Sequence, residues 1–279
     1  MKIYNSLKGL ILAIAILVIG QMAALLLSNL IVFLKLPESV GYIVFACIYI
    51  FCVYVLGKLL CEKVLNISLD ECRINKHKIP MIWIVCSIIL PVMVSAILLL
   101  TPGEMATNPM SMSEKVNLIC LAVFFYGFGS GFAEEMIFRG IIMKVLEKYF
   151  GKTVAILFPS VIFGLLHATG GMNLKDILML FIAGTSVGIM FSLIVYASGT
   201  VWSSAIVHAV WNIIMIGEVL NISTEHMTDT FYSYKLASKS ILITGGEFGV
   251  EVSGIAIAGY ILIGLLAWFI GKRNECSPN

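Results

Sequence analysis

The sequence predicts an all-α, polytopic membrane protein of about eight transmembrane helices, and three observations carry that class. The 279 residues are 60% hydrophobic and only 12% charged, with mean hydropathy +1.02; a soluble domain carries roughly twice that charged fraction. Seven long apolar runs and an eighth, weaker one each suit a helix of about 20 residues, the length that crosses the hydrocarbon layer. Lysine and arginine also divide unevenly between alternate loops. With the N-terminus inside, only Lys35, Lys115, Lys175, Lys235 and Lys239 fall on the outer side, which leaves 13 of the 18 on the cytoplasmic side, the bias that orients membrane proteins. A multi-pass protein of the cell membrane, with both termini cytoplasmic, is therefore expected.

Taken in order, the first span is Gly9–Leu34, preceded by Lys2 and Lys8. It is longer than a signal-peptide core and lacks a convincing cleavage site, so it reads as retained. A turn at Lys35–Ser39 leads to Gly41–Leu60, and the most basic loop follows, with Lys63, Arg73, Lys76 and Lys78. Met81–Leu100 is the third span, with a kink expected at Pro91. The Met-rich loop Thr101–Glu114 reads as polar connection. The fourth helix starts near Val116 and runs to about Tyr149; Gly151 breaks it, and the fifth spans Thr153–His167 with Pro159 inside. Gly170-Gly171 is a turn. Leu174–Tyr196 carries Gly184 and Gly188 at helix-packing spacing. Ser198-Gly199 turns into Val201–Leu220. A polar loop to Glu251 holds His226, Asp229, Lys239 and Gly245-Gly246-Glu247-Phe248-Gly249, and Gly254–Ile270 closes the chain before Lys272-Arg273. Three regions follow: helices 1–3 (1–115), a four-helix core (116–220) and an outer loop with a last helix (221–279). There are no internal repeats.

Composition also narrows the function classes. A net charge of +2 without a basic cluster argues against a nucleic-acid partner, leaving the lipid bilayer and a peptide or membrane protein as the expected partners. Seven cysteines, odd in number and mostly inside spans, suit neither a disulfide framework nor a cysteine zinc site.

The chemistry gathers in the core. Glu134 and Glu135 follow eighteen residues, Val116 to Ala133, without a single charge. Carboxylates placed so deep usually face the bundle interior and mark a site. Glu135 and Arg139 are four apart and share a helix face, so they can pair. Glu134 points about 100° away, on the face of Gly127, Ser130 and Gly131, where small residues admit another backbone. His167 and His208 also lie in apolar spans, whereas His77 and His226 sit in loops and read as solvated. Glu134 lies 17 residues before Gly151 and His167 lies 16 after it, so an antiparallel hairpin brings them to one level. His208 is nine residues past Gly199 and matches that level only if its hairpin sits deeper. His208 and Asn212, again four apart, offer two donors to one point, which suits a developing oxyanion.

Glu134-Glu135-x-x-x-Arg139, Phe163-x-x-x-His167 and His208-x-x-x-Asn212, on successive helices, resemble the signature of the CAAX-protease and bacteriocin-processing intramembrane proteases. This family is also known as the abortive-infection or type II CAAX prenyl endopeptidase group. The resemblance spans about Val116–Leu220, with a fainter likeness at Gly245–Glu251. It implies an eight-helix intramembrane endopeptidase with a catalytic four-helix core. Glu134 and His167 would activate water, His208 and Asn212 would stabilise the oxyanion, and Glu135, Arg139 and Phe163 would support them. Other protease chemistries are poorly served: there is no His-Glu-x-x-His, the three aspartates lie near span ends or in loops, and Ser130 reads as small packing.

Two schemes for the water stay open. His167, His208 and Glu134 match the ligand set of several catalytic zinc sites; a buried Glu/His pair can do the same work without metal. The metal-free scheme, with no required cofactor, is preferred, and a divalent ion such as zinc is the alternative. Outside proteolysis, a non-enzymatic immunity or scaffold protein and a proton-coupled carrier are the rival classes. The His208–Asn212 pair argues against both, since neither needs it.

Overall fold

The structure is a computed structural model that describes residues 2–168 and 172–276. The helical membrane class holds: among the described residues six helices are long and apolar enough to cross a membrane. In each of them less than half of the most apolar stretch is buried. Their outward faces carry large apolar side chains such as Leu26, 72% exposed, and Leu262, 67% exposed. Faces of that kind require lipid rather than water.

The rods are α1 (Lys2–Phe33), α2 (Glu38–Leu60, prolonged by a π-helical turn at Cys61–Leu65) and α3 (Met81–Leu99). A long composite rod follows: α4 (Met112–Cys120), a π-helical stretch Leu121–Ser130, α5 (Gly131–Glu135), a second π-helical stretch Met136–Ile142, and α6 (Met143–Leu166). Then come α7 (Leu174–Ser198), α8 (Val201–Trp211, prolonged by the π-helical Asn212–Ile216), the short α9 (Ile241–Thr244) and α10 (Gly254–Cys276).

The sequence reading of about eight spans meets two refinements. The 55-residue composite rod counts as one long apolar helix but is broken at Gly151, at φ 84° and ψ 171°. The apolar helix Val201–Ile216 falls short of a full crossing. The rod also starts earlier than Val116. Ser111 Oγ accepts the Glu114 N–H at 3.3 Å while Glu114 Oε2 accepts the Ser111 N–H at 2.7 Å, a capping box that sets the first turn. Pro91 does not interrupt α3. The expected turn at Gly170-Gly171 lies outside the described residues.

The loops are not wholly irregular. β1 (Gly103–Thr107), β2 (Leu220–Ser223) and β3 (Tyr232–Leu236) form a three-stranded sheet in the order β1-β3-β2. Met105 pairs with Tyr234 antiparallel, and Ile222 pairs with the same residue parallel. The reading of these segments as plain polar loops is corrected here. Strands this short carry little alternation, and β1 finds its partner more than a hundred residues away.

Contacts sort the loops to two faces. The sheet joins the α3–α4 and α8–α9 connections, and the Ser39 N–H donates to Asn117 Oδ1 at 3.1 Å, which places the α1–α2 turn beside them. On the opposite face Arg73 pairs with Glu147 at 2.9 Å, and the Val201 N–H donates to the Arg73 carbonyl at 3.0 Å. Asn274 Nδ2 donates to the Ala197 carbonyl there, and Gly9 lies against Leu65, so both ends of the chain share that face. The turn from α7 into α8 is made by Gly199 in the left-handed region at φ 72°, its N–H donating to Val195 O at 2.9 Å.

Among the described residues two large apolar clusters and a third, small one hold the rods together. One large cluster packs α1 and α2 on the second π-helical stretch through Phe45, Tyr49 and Ile137; the other packs α3, α7, α8 and α10 through Trp83, Met190, Trp211 and Tyr260. Between α6 and α7 the backbones touch: a Cβ added at Gly184 would sit 2.4 Å from Gly164 Cα. The packing role read for Gly184 and Gly188 is thus met, since Gly188 lies equally close to Ser160.

Candidate active site

α5 places Glu134 and Glu135 between two π-helical stretches, a local geometry frequent at functional sites because it re-aims side chains. The small face beside them lets α8 come close: a Cβ on Gly131 would lie 3.0 Å from the Ala209 nitrogen. Glu135 is fully buried and its Oε1 serves two partners. Arg139 Nη1 donates to it at 2.9 Å, and His208 Nδ1 lies 3.3 Å away across the α5–α8 contact. Arg139 is buried too, its guanidinium 4.5 Å from the Phe163 ring and 5.1 Å from the Phe191 ring, where aromatic faces favour a cation.

His167 ends α6. Its Nδ1 stands 2.7 Å from the Phe163 carbonyl. A carbonyl only accepts, so Nδ1 carries a proton, and in the neutral ring Nε2 keeps its lone pair. Phe163 itself lies between the two imidazoles, 4.8 Å from His167 and 5.9 Å from His208, and Phe191 stacks flat on His208 at 4.9 Å. Asn212 begins the π-helical end of α8, and its Nδ2 donates to the Tyr126 carbonyl at 2.9 Å, leaving a second amide N–H available.

A cavity of about 360 Å³ joins these groups: Glu134, His167, His208 and Asn212 all line it, with Phe163 in its wall. Its size falls in the range of small-ligand pockets. The hairpin arithmetic that set Glu134 level with His167 is met, and the offset left open for His208 closes because the α5–α8 contact brings it to the same cavity. Glu135 and Arg139 stand behind the wall, holding His208 rather than facing the space. Ser130 also lines the cavity, but its hydroxyl donates to the Phe125 carbonyl at 3.1 Å. His77 is exposed, and His226 approaches Glu104 on β1 at 3.7 Å, away from this group.

Sequence reasoning missed Gln21, Tyr126, Phe191, Trp211 and Tyr260 as cavity residues, and it assigned no role to Glu251, which lines the cavity as well. The apolar ones carry no signal in a span, where every neighbour is apolar. Glu251 had one: a carboxylate immediately before a transmembrane helix, in the segment of fainter likeness.

Among the described residues no three His, Cys, Asp or Glu side chains lie together as one ion would require. His208 meanwhile has Nδ1 engaged with Glu135.

Fold and site together define a polytopic helical membrane protein with an ionisable cluster buried in its core. Residues 116–214, from α4 to the π-helical end of α8, match the family model described as Rce1-like, the type II CAAX prenyl endopeptidases. This part of the chain is similar to that family, and the match covers all three motifs. No curated protein and no solved structure matches the chain.

Proposed function

We propose that the protein is an intramembrane endopeptidase hydrolysing a peptide bond in a small or membrane-associated peptide. The observation that carries this reading is the meeting of Glu134, His167, His208 and Asn212, from three separate helices, on one cavity. Glu134 takes a proton from water as the oxygen attacks the peptide carbonyl, with His167 Nε2 positioned to accept from the same water. The resulting oxyanion takes N–H donors from His208 Nε2 and Asn212 Nδ2. Glu134 then returns the proton to the amine nitrogen as the C–N bond breaks.

His208 has a requirement of its own. With Nδ1 donating to Glu135, Nε2 can donate only if the ring is doubly protonated.

The test is cleavage of an internally quenched peptide by the purified protein in detergent and in liposomes. Glu134→Ala, His167→Ala and His208→Ala should each remove activity by several orders of magnitude while the protein still inserts and folds. Full activity of Glu134→Ala would refute the mechanism. The lysine and arginine bias assigns the face bearing both termini to the cytoplasm; the cavity wall at 245–252 then belongs to the outer side.

A further inference from the structure

We propose that Glu251 forms a cation-binding subsite in the part of the cavity lined by Phe248, Glu251 and Val252. It would take a lysine or arginine side chain, or a free amino group, of the peptide substrate. The proposal rests on the peptidase reading for the identity of the ligand as a substrate.

Glu251 lines the same cavity as Glu134 and His167. Among the described residues no hydrogen-bond donor or cation is bonded to its carboxylate; only its backbone carbonyl is engaged, accepting from Tyr260 Oη at 2.9 Å. A structural duty at the start of α10 would explain the carboxylate, but that position is served by Ser253, whose Oγ accepts the Ala256 N–H at 3.2 Å. Glu251 is half-buried, and a carboxylate partly withdrawn from water without a partner is costly. Burial pushes the Glu251 carboxyl up to about 7, just outside the span of α10. The other titratable side chains on the cavity are Tyr126, Glu134, His167, His208 and Tyr260, and no lysine or arginine is among its described lining. A cation that pairs with Glu251 in this cavity would thus arrive with the ligand.

The walls fit such a group. Phe248, Val252, Trp211 and Leu180 line the cavity, apolar surface for the hydrocarbon stem of a lysine or arginine whose tip reaches the carboxylate. The segment is also built to hold its shape. Gly246 sits at φ 69°, and any Cβ there would collide with the Asp176 carboxylate, which is buried on α7. Asp176 Oδ1 accepts the Glu247 N–H at 3.4 Å, and Val252 packs against Leu180 and Ala183. Phe248 in turn meets the His167 ring at 6.4 Å. Asp176 is thus a positioning residue for the subsite.

The experiment scans one residue through a short apolar peptide as lysine, norleucine or Nε-acetyl-lysine. Binding is measured to the purified full-length protein and cleavage is measured in parallel. In at least one register the wild type should prefer lysine to norleucine by about tenfold, the scale of a hydrogen bond to a charged group. Acetylation of that lysine should erase the preference, and E251Q should bring the lysine-to-norleucine ratio to about one. No preference in any register, or a preference that survives in E251Q, overturns the subsite. If E251Q does not fold, the comparison of lysine with Nε-acetyl-lysine on the wild type decides alone, and equal binding of the two sinks the proposal. If no peptide is cleaved, the peptidase reading fails, while the binding ratio still judges Glu251.

Discussion

Replacing Arg139 by methionine tests the cluster where its energetics are largest. The guanidinium and the Glu135 carboxylate meet at 2.9 Å and neither has any exposed surface. At that distance two unit charges attract by about 6 kcal/mol for an effective dielectric constant of about 20. Desolvation offsets much of this in the intact pair, but removing one partner leaves the other charge buried alone, which costs about 3–5 kcal/mol. The contacts with Phe163 and Phe191 add to the loss because the cation sits on both rings. Methionine preserves much of the volume, so a cavity contributes little. The assay is unfolding of the purified protein in mixed micelles, wild type against Arg139→Met, Glu135→Gln and the double variant. The double variant should recover part of the loss, because the stranded carboxylate is gone. A single-variant loss below about 1 kcal/mol, the value of an exposed pair, would refute the account and mean that water reaches this pair.

Three further outcomes follow from the same geometry. Asn212→Ala removes an oxyanion donor and should lower kcat by about 10²–10³; an unchanged kcat in the peptide assay would remove Asn212 from the chemistry. Chelators at short exposure should leave cleavage intact, since Glu134 and His167 are proposed to activate water themselves; stoichiometric zinc with chelator-reversible loss of activity would replace that scheme. Topology reporters fused after Lys78 and after Lys239 should read cytoplasmic and external respectively, and identical readings would break the two-face assignment of the loops.

Local sequence determined what depends on composition and on spacing along one helix. Apolar runs too long to leave in water dictate membrane helices, and the four-residue interval of Glu135 and Arg139 makes their pairing a property of a single turn. The same holds for Phe163 and His167, whose contact runs through one helical carbonyl. Three ordered motifs also carried the resemblance that the Rce1-like family model matches over residues 116–214. The tertiary structure alone decided what lies between helices. The approach of Gly131 to Ala209 sets the depth of His208 and joins it to Glu135, an offset that no spacing within α8 contains. The pairing of β1 with β3 depends on chain ends brought together by the bundle, and four- and five-residue strands announce nothing by themselves. Glu251 reads as a loop residue in sequence because loops are polar by default. Only the fold of 245–252 against Asp176, with its glycines admitting the close approach, turns that carboxylate toward the cavity. Intervals along a helix repeat every turn and are visible in one dimension; the distance between two helices is set by which small side chains meet, and that meeting exists only in the folded protein.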